Sequence, residues 1–415
     1  MSKTCRSAGR TSVLRAGMLL AIPALVAGTA CGTDSADDSG GSSVEAPEGA
    51  FADNPATGTP IKIGLINPEG GPAISMPEDR QAAEAAAEYA NAHLGGIAGH
   101  PIEVVSCAAK EDPASNQDCA NQMVEQGVSA VVVTTSGNGA AMVPIITGAG
   151  IPYLTTSGTS AAELTTPGTY VLSPGFPGAL AGMAAYAAEQ GYKKVAAYVI
   201  DTGTVIASTE AVGKGTFDAA GVELQVAPVT PGTPDSTPQV SAGLADGTEA
   251  VAVIGDGTMC TSVLKSLQTL GATQAKMVIQ PCLDPAVVDA VGDTLDGSLV
   301  FIGADIDSDG PEAVLYRAVM DEYAPDVEIG GFTSTGYAAM LGLIRAAQGV
   351  QGEPTAAAVN EAIKTAKDVP MPAADGITFT CDGTAMPMMP TVCSNKMIRA
   401  TVAEGGQVTS PVVVG

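Results

Sequence analysis

The feature that most constrains the fold is a regular alternation of short apolar runs and longer helical stretches that begins at Ile61. Runs such as IKIGLIN and AVVVTT predict strands, and stretches such as RQAAEAAAEYANAHL predict helices. Strands this apolar leave no face for water, so they predict a parallel sheet covered by helices on both faces. The chain is therefore predicted to be an α/β protein.

The alternation starts again after residue 177, which predicts a second lobe of the same design. AVVVTTSGNGAAM and AVAVIGDGTMCTSV each contain a strand, a Gly-x-Gly turn and a helix start. The 415 residues also exceed what one hydrophobic core usually holds. We predict two Rossmann-like lobes with parallel central sheets joined by a multi-crossover hinge, with lobe I formed by 60–175 and 306–375 and lobe II by 176–305 and 376–415.

Three glycine-containing turns are predicted to face one cleft between the lobes. They are SGNG at 136–139, TTSGTS at 155–160 and GDGTMC at 255–260. Each follows a predicted strand, and ligands of parallel α/β sheets bind at the carboxyl ends of strands. A strand, a glycine turn and a helix start together expose backbone N–H groups that suit an anion. The turns therefore predict a site for a carboxylate or a similar polar group.

The N-terminal residues have the features of an export signal. Four basic residues and no acid precede or flank an apolar stretch from 16 to 27, which is too short to span a bilayer. GTACG, ending just after Cys31, resembles a bacterial lipoprotein cleavage site. We predict a signal peptide at 1–30, a lipid on Cys31 and an extracytoplasmic protein anchored to the cell membrane; plain cleavage after Ala30 is the alternative. Residues 31–59 are rich in Ser, Gly, Asp and Pro and predict a flexible tether.

Six cysteines remain once Cys5 leaves with the signal peptide and Cys31 is set aside for lipidation. None of them shows the C-x-x-C spacing of a zinc or redox site. Fifteen pairings are possible, and pairing of sequence neighbours is the simplest in an oxidising compartment. We predict three structural disulfides: Cys107–Cys119, Cys260–Cys282 and Cys381–Cys393.

Charge and histidine content exclude several functions. From Cys31 onward, 14 Lys and Arg residues stand against 44 Asp and Glu residues, a net charge of −30 that repels nucleic acid. His93 and His100 are the only histidines, and both fall in the turn before the second predicted strand, away from the cleft. Without a histidine at the cleft or a G-x-S-x-G elbow, nucleophilic catalysis is not expected. We predict that the chain is not an enzyme.

A dinucleotide site is the first alternative for the opening glycine turn. Gly137-x-Gly139 begins a G-x-G-x-x-G pattern, but Met142 stands at the third glycine position. The next carboxylate, Glu163, begins another segment instead of ending a second strand. We therefore predict no nucleotide and no other cofactor.

A calcium loop is the alternative for the acidic stretch from Asp305 to Gly310. Its D-x-D-x-D-G spacing matches the start of such a loop, but Tyr316 stands where the bidentate Glu is required. The preferred interpretation is an acidic crossover between lobes in which Asp309 or a neighbour caps the next helix. We predict no metal.

The run from 130 to 164, AVVVTTSGNGAAMVPIITGAGIPYLTTSGTSAAEL, resembles the first-lobe ligand segment of leucine/isoleucine/valine-type substrate-binding proteins of ABC importers, which have the type I periplasmic-binding fold. IKIGLINPEGGP, GGIAGHPIEVV and GFTSTGYAAMLGLIRAA carry the same resemblance, which extends over most of 60–415. Receptor ligand-binding domains share it. The resemblance implies that hydroxyls and N–H groups of two turns hold an α-carboxylate: Ser136, Gly137, Asn138, Gly158, Thr159 and Ser160.

Departures from the family pattern concern specificity. Where amino-acid binders often place aromatic residues, this chain has Met76, Val205 and Asp256. The acid that meets the substrate ammonium in the family falls near Pro281, and the resemblance implies that Asp256 replaces that charge while Phe332 supplies an apolar wall. The alternative for Asp256 is a solvated turn residue, which favours a carboxylate or amide ligand over a zwitterion.

The resemblance implies an extracytoplasmic substrate-binding lipoprotein of an ABC importer that captures an amino acid or a similar carboxylate or amide solute between its lobes. Its expected partners are this solute and a membrane permease, and the protein is expected to be a monomer. A sensory ligand-binding receptor of the same fold is the alternative. For Ser136 and Ser160, helix capping is the alternative to ligand contact.

Overall fold

The first sheet of the computed structural model is fully parallel. The structure describes residues 46–71, 75–202, 204–245, 247–330 and 333–415. Five strands pair in the order β2-β1-β3-β4-β5. They are β1 (Ile61–Pro68), β2 (Ile102–Ala109), β3 (Ala130–Val133), β4 (Tyr153–Thr155) and β5 (Thr169–Val171).

The second sheet has seven strands in the order β14-β13-β10-β9-β8-β6-β7. β6 to β10 pair in parallel, and β13 and β14 continue the sheet antiparallel beside β10. The predicted α/β class with parallel central sheets is confirmed. The strands are β6 (Lys194–Ile200), β7 (Glu223–Val229), β8 (Ala250–Ile254), β9 (Ala275–Ile279), β10 (Leu299–Ile302), β13 (Met397–Val402) and β14 (Val408–Val414), and a separate small pair is β11 (Val369–Pro370) and β12 (Thr378–Phe379).

Helices cover both sheets, as expected for strands that are buried on both faces. Every residue of β3 and of β8 is buried. The helices are α1 (Pro77–Tyr89), α2 (Pro113–Gln126), α3 (Gly139–Gly148), α4 (Ala161–Thr165), α5 (Gly175–Glu189), α6 (Thr204–Ser208), α7 (Lys214–Ala219), α8 (Thr237–Gly243), α9 (Gly257–Thr269), α10 (Pro285–Val291), α11 (Pro311–Tyr323), α12 (Thr333–Ala347) and α13 (Ala356–Thr365).

Helices α11 to α13 return to the first sheet, where α12 packs along α1. The approach is closest at Gly336, because a Cβ atom there would lie 1.8 Å from the carbonyl oxygen of Asp79. A glycine is therefore required at this position for the two helices to pack this tightly. The same contact buries the Asp79 side chain completely.

The described chain crosses between the two sheets after β5, after β10 and before β13. One boundary differs from the prediction, which placed 376–415 in lobe II. Val392 forms a parallel bridge with Val171 of β5, and Cys393 N donates to Val171 O at 2.8 Å. The segment ending near Cys393 is thus hydrogen-bonded to the first sheet, and the chain joins the second sheet only at Met397.

The segment from 46 to 59 packs against the first lobe, which differs from the flexible tether predicted up to residue 59. Phe51 lies against three aromatic rings, with centroid distances of 5.4 Å to Tyr89, 4.9 Å to His93 and 6.5 Å to Tyr323. His93 Nδ1 lies 2.9 Å from the carbonyl oxygen of Ala52. The predicted signal peptide, Cys31 and the first part of the tether lie outside the described residues.

The three predicted disulfides are confirmed. Cys107–Cys119 joins β2 to α2, and Cys381–Cys393 closes the loop that leads back to the first sheet. Cys260–Cys282 connects the first turn of α9 to the loop after β9, and both of its cysteines are fully buried.

Candidate functional site

A cavity of about 310 Å³ lies where the carboxyl ends of strands from both sheets meet. Its walls come from the segments after β3, β4 and β5, from those after β9 and β10, and from the start of α12. This is the position at which parallel α/β sheets bind ligands, and the volume falls in the range of small-molecule sites. The lining residues are Thr135, Thr156, Ser157, Thr159, Ser173, Gly175, Phe176, Ala179, Ile279, Gln280, Pro281, Phe301, Ile302, Gly303, Ala304, Ser334, Thr335, Ala338, Met371 and Met397.

Hydroxyl groups dominate the wall contributed by the first lobe. The Thr156 side chain lines the cavity, and its Oγ1 atom is buried with no hydrogen-bond partner among the described residues. Ser173 Oγ fixes the neighbouring backbone by donating to Thr156 O at 2.8 Å. Gly175 has φ +51°, and a Cβ atom there would lie 2.2 Å from Ser157 Oγ. Glycine is therefore needed to keep this corner of the cavity open.

The opposite wall is apolar and carries one amide. Phe301 and Ile302 end β10, Ile279 ends β9, and the Gln280 side chain follows directly. Phe176, Met371 and Met397 add further apolar side chains to the cavity lining. Within the described part of the chain, no Asp, Glu, Lys, Arg or His side chain lines the cavity. The site therefore combines neutral hydrogen-bonding groups with a hydrocarbon surface.

The first predicted anion turn is occupied by the protein's own carboxylate. Glu111 Oε2 accepts hydrogen bonds from Gly137 N at 3.1 Å and from Asn138 Nδ2 at 3.0 Å. Ser136 Oγ accepts from Asn138 N at 2.9 Å, so it stabilises the turn before α3. None of these three residues lines the cavity, although their neighbour Thr135 does. Glu111 itself has φ +56°, a conformation that is uncommon for a side chain of this size.

Glu163 occupies the second predicted turn in the same way. Its Oε2 atom accepts from Thr159 N at 3.1 Å, Ser160 N at 2.9 Å and Ser160 Oγ at 2.8 Å. Its Oε1 atom accepts from the Tyr153 hydroxyl at 2.8 Å. Burial raises the pKa of Tyr153 well above its ordinary value, and the Glu163 charge raises it further, so this phenol remains a donor. Ser160 and Glu163 form a capping box at the start of α4.

Only Thr159 of the six residues implied by the resemblance lines the cavity, and Gly158 and Ser160 lie outside its lining. The Thr159 hydroxyl donates to Ser136 O at 3.0 Å and so ties the two turns together. The capping alternative therefore describes the geometry of Ser160, whereas Ser136 accepts from Asn138 N within the turn and does not cap α3.

Three of the residues predicted to control specificity, Met76, Val205 and Asp256, lie outside the cavity lining. Asp256 is exposed and caps α9 by accepting from Met259 N at 2.8 Å. This geometry corresponds to the alternative of a solvated turn residue. Val205 packs against the core of the second lobe, and Met76 precedes α1 with its carbonyl bonded to Asn67 Nδ2. Phe332 lies outside the described residues.

The acidic crossover from Asp305 to Gly310 is held by backbone hydrogen bonds. Asp305 Oδ1 accepts from Asp307 N and Ser308 N. The next helix is capped from a distance, since Asp375 accepts from the backbone N–H groups of Glu312 and Ala313, so the predicted cap by Asp309 or a neighbour is wrong. Among the described residues, no cluster of three His, Cys, Asp or Glu side chains forms a metal site.

Several cavity residues were missed by the sequence argument, although their strands were identified. Gln280 and Pro281 end the run KMVIQP, and Phe301 and Ile302 lie within SLVFIGADID, and both runs predict strands. The sequence signal that could have identified these residues is their position at the carboxyl end of a predicted parallel strand. GDGTMC also follows a strand, but β8 lies between β6 and β9, and its turn does not line the cavity.

A family comparison agrees with this architecture. Residues 60–396 match the model of a family described as periplasmic binding protein. The chain belongs to this family. Its members bind solutes, so the prediction that the chain is a binding protein and not an enzyme is confirmed. No curated protein sequence is significantly similar to this family member.

Solved structures of similar fold include three that cover nearly the whole described chain. An ABC transporter substrate-binding protein from Sphaerobacter thermophilus has a TM-score of 0.72 and 20% identity, over 85% of this chain and 98% of that one. A possible leucine/isoleucine/valine-binding protein from Rhodopirellula baltica SH 1 has a TM-score of 0.69 and 17% identity, over 87% of this chain and 98% of that one. A fatty acid ABC transporter substrate-binding protein from Thermomonospora curvata has a TM-score of 0.69 and 16% identity, over 88% of this chain and 94% of that one.

All three sequence identities are low, so these similarities establish the fold of this periplasmic binding protein and nothing finer. The predicted resemblance to the leucine/isoleucine/valine-type proteins is confirmed at the level of the family and its fold. Within the described residues, no helix is both long and apolar enough to cross a membrane.

Proposed function

We propose that the protein is the extracytoplasmic substrate-binding component of an ABC importer, anchored by a lipid on Cys31. In this proposal it captures a small solute, an amino acid or a related carboxylate or amide, and delivers it to a membrane permease. The names of the related structures span branched-chain amino acids and fatty acids, so the fold alone does not select the solute.

The observation that carries the proposal is the cavity shared by the two lobes. Its walls come from both sheets, so a bound solute contacts both lobes only when they are close together. A ligand with more contacts in the closed arrangement shifts the population toward it. Two lobes joined by crossovers are suited to this kind of hinge closure.

Thr156→Val tests the site with a change that keeps the shape of the side chain. The variant loses the one buried hydroxyl of the lining that has no partner among the described residues. The compound that copurifies with the mature protein would be identified by mass spectrometry, and its affinity measured by calorimetry. We expect a loss of about fivefold, equivalent to one hydrogen bond of about 1 kcal/mol.

Thr155→Val is the matched control. Thr155 Oγ1 is also buried without a partner among the described residues, but Thr155 does not line the cavity. We expect its affinity to equal that of the native protein. Equal affinities for both variants and the native protein would place the solute elsewhere and contradict the proposal.

The proposed lipid anchor has its own test. Mass spectrometry of the mature N-terminus should show a diacylglyceryl group on Cys31, and Cys31→Ala should release the protein from the membrane fraction. A Cys31→Ala protein that stays in that fraction, or an unmodified Cys31, would contradict the anchor without affecting the binding site.

A further inference from the structure

We propose that the cavity selects an uncharged solute: a hydrocarbon body that ends in one amide or hydroxyl head. This inference rests on the proposed function, because it names the class of solute that the same cavity captures. It keeps the amides of the proposed class and adds alcohols, and it excludes amino acids and simple carboxylic acids, which carry two charges and one charge at neutral pH.

The first basis is the charge of the lining. In the described chain, the walls present seven Ser or Thr hydroxyls and one Gln amide, and no ionisable side chain. A charged group that leaves water for such a cavity loses its hydration without gaining a counter-charge. An amide or hydroxyl loses far less, and neutral hydroxyls replace its hydrogen bonds to water. The cavity therefore discriminates against both ammonium and carboxylate groups.

The second basis is that two acidic side chains close to lining residues accept hydrogen bonds from the protein itself. Glu163 next to Thr159 accepts four hydrogen bonds from Tyr153, Thr159 and Ser160. Asp305, which follows the lining residue Ala304, accepts from two backbone N–H groups of its own loop. Both oxygens of Glu163 therefore have partners within the protein, and Oδ1 of Asp305 is held within its own loop.

The third basis concerns anions. The backbone donors that would suit a ligand carboxylate, at Gly137 and at Thr159 to Ser160, bind Glu111 and Glu163. In addition, the protein carries a formal net charge of −26, which opposes the approach of an anion. A carboxylate ligand would therefore have to displace an internal carboxylate of the same chemistry.

The apolar wall sets the other half of the selection. Phe176, Phe301 and Met397 contribute apolar side chains to the cavity lining. Each methylene buried against such a surface raises affinity by about fourfold, until the cavity is filled. The solute should therefore gain affinity with chain length over a short series.

The test is a matched panel on one hydrocarbon body, measured by calorimetry on the mature full-length protein. The panel is 4-methylpentanamide, 4-methylpentanol, 4-methylpentanoate, 3-methylbutylamine and leucine, with shorter and longer amides added. We expect an amide or the alcohol to bind tightest, and the carboxylate, the amine and leucine to bind at least about tenfold more weakly. Tightest binding by any charged member, or no binding by every uncharged member, would overturn the inference.

Gln280→Glu is the gain-of-charge variant, because it places a carboxylate on the cavity wall. We expect the amine to gain at least about tenfold over the alcohol in this variant. Asp256→Asn is the control, since asparagine caps a helix as well as aspartate does and Asp256 does not line the cavity. An unchanged ranking in Gln280→Glu, or loss of leucine binding in Asp256→Asn, would overturn the inference.

The same data separate the inference from the proposed function. If leucine or the carboxylate binds tightest and Thr156→Val weakens it, solute capture stands and the selection for uncharged solutes fails. If no panel member binds and no compound copurifies with the native protein, both fail.

Discussion

Asp79→Asn tests the electrostatic consequence of the tight packing between α1 and α12. The Asp79 side chain is fully buried, and neither carboxylate oxygen has a hydrogen-bond partner among the described residues. Burial raises the pKa of Asp79 to about 8, and the charge of neighbouring Glu78 adds to the shift. The Asp79 carboxyl group is therefore mostly neutral in the folded protein at pH 7.

The folded and unfolded states hold this proton over different pH ranges. The unfolded chain releases it near pH 3.8, whereas the folded protein keeps it up to about pH 8. Between these values the folded state binds one more proton, so the free energy of unfolding falls by about 1.36 kcal/mol for each pH unit. The full stability is present below pH 3.8, and the loss between pH 3.8 and pH 7 is about 4 kcal/mol.

Asparagine removes this titration because it is neutral at every pH and close in shape to protonated aspartate. We expect the free energies of unfolding of Asp79→Asn and the native protein to move apart by about 4 kcal/mol between pH 4 and pH 7, in favour of the variant at pH 7. Urea unfolding followed by circular dichroism measures the difference, since the chain has no Trp. Taking the difference at each pH cancels the other titrating groups.

Asp112→Asn is a control of opposite sign. Asp112 is an exposed cap of α2, and its hydrogen bonds from Ser115 and then Ala114 lower its pKa. Its contribution to stability is present above its unfolded pKa and is lost as the pH falls through the folded value. The free energy of unfolding of the native protein should therefore increase relative to that of Asp112→Asn as the pH rises. A difference between Asp79→Asn and the native protein that stays constant from pH 4 to pH 8 would refute the reasoning.

Two further outcomes follow from the disulfide and the cap near the cavity. Replacing Cys260 and Cys282 together by alanine should lower the free energy of unfolding by about 3 kcal/mol, because the bridge links residues 22 apart; unchanged urea unfolding would contradict this. Ser160→Ala should cost about 1 kcal/mol through the α4 cap and leave solute affinity unchanged in calorimetry. A tenfold loss of affinity would instead support the carboxylate role implied by the family resemblance.

Local patterns were enough to predict the repeating part of the fold. AVVVTT and AVAVIG form β3 and β8, and the glycine turns after them lead into α3 and α9 as expected. The return of residues 391–393 to the first sheet was not predictable in the same way. It depends on pairing between Val171 and Val392, which are far apart in sequence and carry no periodic signal.

The position of the cavity was partly predictable, because it follows from strands ending at one edge of each sheet. TTSGTS supplies Thr156, Ser157 and Thr159 to the lining, as the strand ends indicate. Which strands of the second lobe contribute depends on the order of the sheet, and that order is a property of the assembled fold. β9 and β10 supply Gln280 and Phe301, whereas the turn after β8 does not reach the cavity.

The identity of the anion in each glycine turn shows where sequence reasoning ended. Ser160-x-x-Glu163 is a capping box that can be read locally, so the occupant of the second turn was available from the sequence. Glu111 reaches the first turn from the loop between β2 and α2, a contact that only the fold creates.

A ligand carboxylate in the second turn would have to remove Glu163 from four hydrogen bonds, and hydrogen bonds to a carboxylate are worth about 1.5–3 kcal/mol each. The incoming carboxylate would regain no more than the same bonds, while the displaced Glu163 would stay buried without partners. The exchange is therefore unfavourable, and the Thr156 hydroxyl, which has no hydrogen-bond partner among the described residues, is the donor that we propose for the solute in place of these turns.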